Sequence, residues 1–222
     1  MTLKSWTTRQ NWPKILNAAR VTTRNHLRAW QRDVALRGGV VNSASLLLPM
    51  GCLVYNQNLE QELLAALPPA TAYRTTARGW AKAVGDTWQR WVSGYRALIP
   101  TAYPAFIAYP APQAPPMPNI PFPLSVGISN ETDFTPERIH QLIKSGIGPT
   151  NYNEAGAAGA VQEYADWLCG SFQAWRLTLV MQRVMGWGPV PGYAPPTVVV
   201  SSVVNGQASA EPGFLVGPLF PD

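Results

Sequence analysis

A mainly α fold, a bundle of long amphipathic helices with extended proline-rich arms and at most a short β-hairpin near the C-terminus, is predicted from three features of this 222-residue sequence. Three long segments place apolar residues at alternating spacings of three and four, the signature of a helix with one buried stripe. Two other segments combine proline, glycine and apolar residues with almost no charge. Only Val198–Val204 reads as a strand or hairpin.

The first helix is expected over Trp12–Leu36, where Trp12, Leu16, Ala19, Thr23, Leu27, Trp30 and Val34 make one stripe and Gly38-Gly39 ends it. Arg20, Arg24, Arg28 and Arg32 stand four residues apart, so they stack along the helix surface and repel one another by a few tenths of a kcal/mol per pair. Such a row, with Lys14 nearby, is most easily understood as meeting negative charge, either nucleic-acid phosphate or an acidic partner surface. Residues 1–37 hold eight Lys/Arg against one Asp, while residues 38–222 hold nine against eleven acidic residues. The overall charge of +5 is therefore an N-terminal property.

Residues 40–55 are apolar but interrupted by Asn42, Ser43, Ser45, Pro49 and Gly51, which predicts a turn or buried loop. A short helix follows over Asn58–Leu67 and stops at Pro68-Pro69. The clearest helix is the next, where Tyr73, Ala77, Trp80, Val84, Trp88, Trp91, Tyr95 and Leu98 keep a period near 3.5 before Pro100. Tyr73, Trp80, Val84, Trp88, Trp91 and Tyr95 are accordingly expected to pack against another long helix, in this chain or in a neighbouring subunit. Gly79, Gly85 and Gly94 within it each cost up to about 1 kcal/mol of helix propensity, a cost that a close helix crossing would explain.

Pro100–Pro123 holds nine prolines and no charged residue, which predicts an extended polyproline-like arm. Its apolar content, Phe106, Tyr109 and Phe122 included, suits an arm lying on protein rather than a solvated linker. Thr135-Pro136 supplies an N-cap and a first-turn proline for a helix expected to run to about Ser145. The last helix is expected over Glu154–Met185, with Val161, Tyr164, Leu168, Phe172, Trp175 and Leu179 on its stripe. The tail from Gly186 is again rich in Pro, Gly and apolar residues, and Tyr193, Phe214, Leu219 and Phe220 are its expected contact residues. The chain thus divides into a helical region 1–99, an arm 100–130, a helical region 131–187 completing the same body, and a C-terminal arm 188–222.

Charged residues make up 13% of the chain and hydrophobic ones 46%, against about 25% charged in an ordinary globular domain. Apolar surface exceeds what charge can cover, so a further covering surface is expected. A membrane is disfavoured, because about 18 consecutive apolar residues are needed to span one and residues 40–55 do not qualify. The opening MTLKSWTTRQNWPK lacks the apolar region of a secretory signal, which predicts synthesis in the cytoplasm. Cys52 and Cys169 sit in apolar surroundings outside any ligand pattern and are expected as buried free thiols.

Catalytic candidates are sparse. His26 and His140 fall at helical positions beside ordinary polar residues, and of the acidic pairs only Glu163 and Asp166 share a helix face. No nucleophile elbow, phosphate loop or zinc-binding pattern occurs. The sequence therefore predicts a non-enzymatic protein without cofactor, metal or small-molecule substrate.

Helical body plus uncharged arms resembles in style the virion proteins of tailed bacteriophages and related contractile particles, although no motif identifies a family. That resemblance implies a structural subunit of a large symmetrical particle, a homo-oligomer or a partner of other subunits, incorporated into a virion. Two other functions suit parts of the sequence: a nucleic-acid-binding module using the basic N-terminal helix with Trp6, Trp12 and Trp30, and a peripheral membrane-surface protein.

Overall fold

A computed structural model describes residues 4–67 and 74–222, with side chains from Trp12 onward. It overturns the mainly α expectation. Among the described residues, five helices stand beside a seven-stranded antiparallel sheet and a three-stranded one.

The helices are α1 (Lys4–Asp33), α2 (Leu59–Ala66), α3 (Arg74–Gly94), α4 (Pro136–Tyr152) and α5 (Ala157–Thr178). The strands are β1 (Ala35–Asn42), β2 (Ser45–Leu48), β3 (Leu53–Val54), β4 (Ala97–Ile99), β5 (Gln113–Pro118), β6 (Phe122–Pro123), β7 (Val180–Met181), β8 (Met185–Pro189), β9 (Gly206–Ala210) and β10 (Leu215–Val216). The large sheet runs β4-β2-β1-β9-β8-β5, with β3 also paired to β1, and the small sheet runs β10-β7-β6.

Three long helices lie where the periodicity placed them but end earlier, and each lost end is strand. The stripe of α1 is buried from Trp12 to Val34, after which Leu36 pairs with Leu53 and Ala210 instead of closing another helical turn. α3 ends at Gly94, so Leu98 lies on β4 and points to solvent, although the seven-residue repeat had put it on the buried stripe. α5 stops at Thr178, and Val180, Met181 and Met185 join the two sheets. α4 runs further than expected, with non-helical Gly148 (φ 79°) breaking it before Pro149. Its N-terminus is capped by Thr135, whose hydroxyl accepts from the Arg138 amide at 3.3 Å.

The polar interruptions of the 40–55 segment form turns between strands. Ser43 adopts φ 52° in the two-residue link of the β1–β2 hairpin, where Asn42 faces Ser45. The proline-rich segment is likewise part of the large sheet: β5, QAPPMP, pairs with β8 as an edge strand, where prolines are tolerated, and a register shift accommodates Pro115-Pro116. The expected strand at Val198–Val204 is displaced to Gly206–Ala210, and β9 inserts between β1 and β8.

Glycines make two close approaches possible. A Cβ on Gly79 would collide with the Gly146 carbonyl where α3 crosses α4, and one on Gly85 would lie 2.6 Å from Glu60 Cβ on α2. The helical core is aromatic. Trp30 lies edge-on to Trp88 (5.2 Å between ring centroids) and Trp175 (5.9 Å), and Trp91 meets Phe172 at 5.1 Å. Such pairs add about 0.5–1.5 kcal/mol each beyond area burial. Thr23, the hydroxyl in the α1 stripe, is satisfied inside the core by Tyr164 Oη at 2.7 Å.

Candidate functional site

The Arg row lies along α1 as expected, and the structure shows what it meets. Arg20 bonds Glu163 of α5 through Oε1 (2.9 Å) and the backbone carbonyl (3.1 Å), with its guanidinium 5.6 Å from the centroid of the Trp167 ring. Arg24 and Arg28 both reach Asp222 Oδ1, at 2.9 and 3.2 Å, and Arg28 Nε donates to the Phe220 carbonyl at 2.7 Å. Arg32 forms a two-pronged pair with the adjacent Asp33. The row therefore meets carboxylates of its own chain, while Lys14 is exposed. The Trp6 side chain and Tyr73 lie outside the described residues.

Phe220 explains why the last segment follows the row. Its ring is fully buried, 5.3 Å from Trp175 and 5.8 Å from Trp167, and Gln31 holds the approach by donating to the Gly217 carbonyl. The other arm residues are also placed against this chain's own body: Phe106, Phe122 and Phe214 are buried, and Tyr109 and Tyr193 are half-buried against the core, whereas Leu219 is 59% exposed. Buried Asn119 fastens the proline-rich segment by donating to the Met181 carbonyl (3.2 Å) and accepting from the Val184 amide (2.8 Å). Trp80, Val84, Trp88, Trp91 and Tyr95 pack inside the chain's own core.

The large sheet carries a surface that periodicity did not reveal. Its registers align Leu98, Leu47, Val40, Gln207 and Trp187 in one row across β4, β2, β1, β9 and β8. Alternation puts this row on the face opposite buried Ile99, Leu46, Val41 and Gly206. Leu98 is 62% exposed and Leu47 46% exposed, while Val40 and Trp187 are half-buried. On β8 and β9 the inner face is built of Gly and Ala, and Tyr103 takes the space a Cβ on Gly186 would need.

Charge is segregated in the same way. Residues 38–59, 97–130 and 184–210 contain no Asp, Glu, Lys or Arg, and these stretches make up nearly all of the large sheet and its loops. Arg37 is the charged residue on its strands, and it is neutralised at the sheet's end by Glu211 (2.8 and 2.9 Å). The loop after β8 extends the neutral surface with Val198, Val199 and Val200, each at least 40% exposed. Parts of these stretches are the segments whose composition predicts arms. The signal that would have joined them was the absence of charge in all three.

No family model, curated protein or solved structure matches this chain. The reading of its surface therefore rests on its own chemistry.

The titratable groups in the interior are engaged in packing. His26 is fully buried against Trp88 and Tyr55, with Nδ1 3.0 Å from Glu62 Oε1. Burial lowers its pKa, opposed by the Glu62 carboxylate. Nδ1–H donation to Glu62 leaves Nε2 without a partner in the core. His140 links α4 to α5 through Gln162 (2.6 Å) and also meets the Tyr152 hydroxyl (2.7 Å). Burial pushes the thiols of Cys52 and Cys169 up to about 12. A groove of about 710 Å³ opens between α1 and α5 beside Trp12, Leu16, Gly156 and Gly159. Among the described residues no three His, Cys, Asp or Glu side chains converge as a metal site. No described helix is long and apolar enough to cross a membrane.

Proposed function

We propose that this chain is a structural subunit of a large symmetrical particle, a head, neck or tail component of a virion such as that of a tailed bacteriophage, and that it acts architecturally rather than catalytically. The observation that carries this reading is the nearly uncharged sheet, whose outer face sets the exposed Leu98 and Leu47 beside half-buried Val40, with half-buried Trp187 beyond Gln207. Contiguous apolar surface of this kind marks interaction sites on soluble proteins. The buried histidine and cysteines, and the ion pairs on α1, serve the subunit's internal cohesion in this reading.

The expected behaviour is assembly by the purified chain. Light scattering coupled to size-exclusion chromatography, at moderate and high salt, should report a defined oligomer that high salt preserves, because an apolar contact is not screened. A monomer at every concentration, indifferent to salt, refutes the reading.

One observation favours a second reading, a nucleic-acid-binding module. Arg74, Arg78 and Lys82 follow one another at four-residue spacing on the exposed face of α3, and among the described residues Lys82 pairs with the partly exposed Asp86. Affinity for random DNA that falls steeply between about 50 and 200 mM salt would support that role.

A further inference from the structure

We infer that the outer face of the large sheet is the docking surface for a second copy of this chain, two sheets stacking face to face about a twofold axis with Val40 near its centre. This deepens the assembly reading and rests on it, by naming the surface and its occupant.

The row Leu98, Leu47, Val40, Gln207, Trp187 crosses five adjacent strands, a width of about 19 Å at the usual strand spacing. Burying it would cover the side chains that leave this lobe so apolar. An interface between identical subunits joins the same patch on both, so the patch must tolerate its own copy. Each chain carries a net charge of +5, and that charge lies away from this face. Approach through the helical side would bring like charges together, whereas the strands of the sheet carry Arg37 alone, neutralised by Glu211. A charged partner, protein or nucleic acid, would find no counter-charge in the row.

The edges of the sheet favour stacking over edge-to-edge pairing. On β5, Pro115, Pro116 and Pro118 lack the amide donors that an added strand needs. β4 is only three residues long, and Arg96 just before it is already bridged to Ile128 by two backbone hydrogen bonds, of 3.0 and 2.9 Å. What remains open is the face, and stacked sheets pack about 10 Å apart through apolar side chains of this size.

The test compares wild-type protein, the double variant Leu47→Lys/Leu98→Lys, the single variant Gln207→Glu, and Leu177→Lys as a control on the exposed side of α5. Association is read by light scattering over a concentration series, and folding by circular dichroism. Both sheet variants should associate at least tenfold more weakly than wild type, with Leu177→Lys unchanged. Gln207→Glu adds charge with little change of shape, so it remains informative if the double variant misfolds. An oligomer that survives in both folded sheet variants, or that Leu177→Lys weakens equally, overturns this inference and leaves the assembly reading standing. A wild-type chain that is monomeric throughout overturns both.

Discussion

Phe220 anchors the C-terminal segment by apolar burial, and the ion pairs beside it contribute little. Phe220→Ala removes a ring with no solvent exposure and two edge-on contacts, to Trp167 and Trp175. Burial of a Phe side chain is worth about 1.5–3 kcal/mol and each aromatic contact about 0.5–1.5 kcal/mol more. A core helix would lose about 3–5 kcal/mol from such a truncation, since the cavity persists. A segment lying on the surface of the body can instead detach, recovering conformational entropy of about 1–2 kcal/mol per residue freed. The net expectation is a loss of about 2–3 kcal/mol, with fast hydrogen exchange in residues 217–222. Asp222 is 84% exposed, so Asp222→Ala should cost under about 1 kcal/mol even though it bonds both Arg24 and Arg28. Urea denaturation of the two variants, with exchange followed by mass spectrometry, separates the terms. If Asp222→Ala costs as much as Phe220→Ala, the segment is held by charge and the reasoning fails.

Glycine substitutions should differ in sign: Gly79→Ala drives a methyl into the Gly146 carbonyl and should cost about 1–3 kcal/mol, whereas Gly170→Ala meets open space on α5 and should gain about 0.5–1 kcal/mol, both read from urea midpoints. His26, with its folded-state pKa lowered by burial, stabilises the fold fully above the unfolded value near 6.5, and that contribution should fall as pH drops below it toward the folded pKa. Denaturation midpoints from about pH 7.5 to 5 should therefore decline more steeply in wild type than in His26→Gln, and parallel curves would refute the assignment. Both cysteines should resist iodoacetamide at pH 8 in the native protein and react on unfolding, as thiols pushed up to about 12 in a buried setting must.

The helical half of the fold was legible because its signal is local. Each stripe, from Trp12 to Val34 or from Val161 to Leu179, declares itself within one segment, and these residues are buried. The sheet was illegible for the opposite reason. β1 is completed by β9, about 170 residues away, and the pairing of Gly39 with Ala208 leaves no trace in either segment's own pattern. β9 reads GQASA, with no β-branched or aromatic residue, because its inner positions must stay small beneath other parts of the chain. β5 reads QAPPMP, which any local rule assigns to polyproline, and only its edge position makes it a strand. The proline-rich stretches were thus recognised as lying on protein, and that protein includes their own chain.

This redistribution changes what must explain the excess of apolar residues. Had the arms been free, Phe106, Phe122, Phe214 and Phe220 would themselves have been the adhesive groups, but they are buried within the subunit. Part of the exposed apolar surface is carried instead by Leu98 and Leu47 on the sheet and by Val198–Val200 at its loop. A lone exposed leucine calls for no explanation. A row crossing five strands without a charged residue does, because inserting a single Lys or Glu there would have protected the sheet from association at little cost to the fold. Along the whole of that row, no such residue occurs.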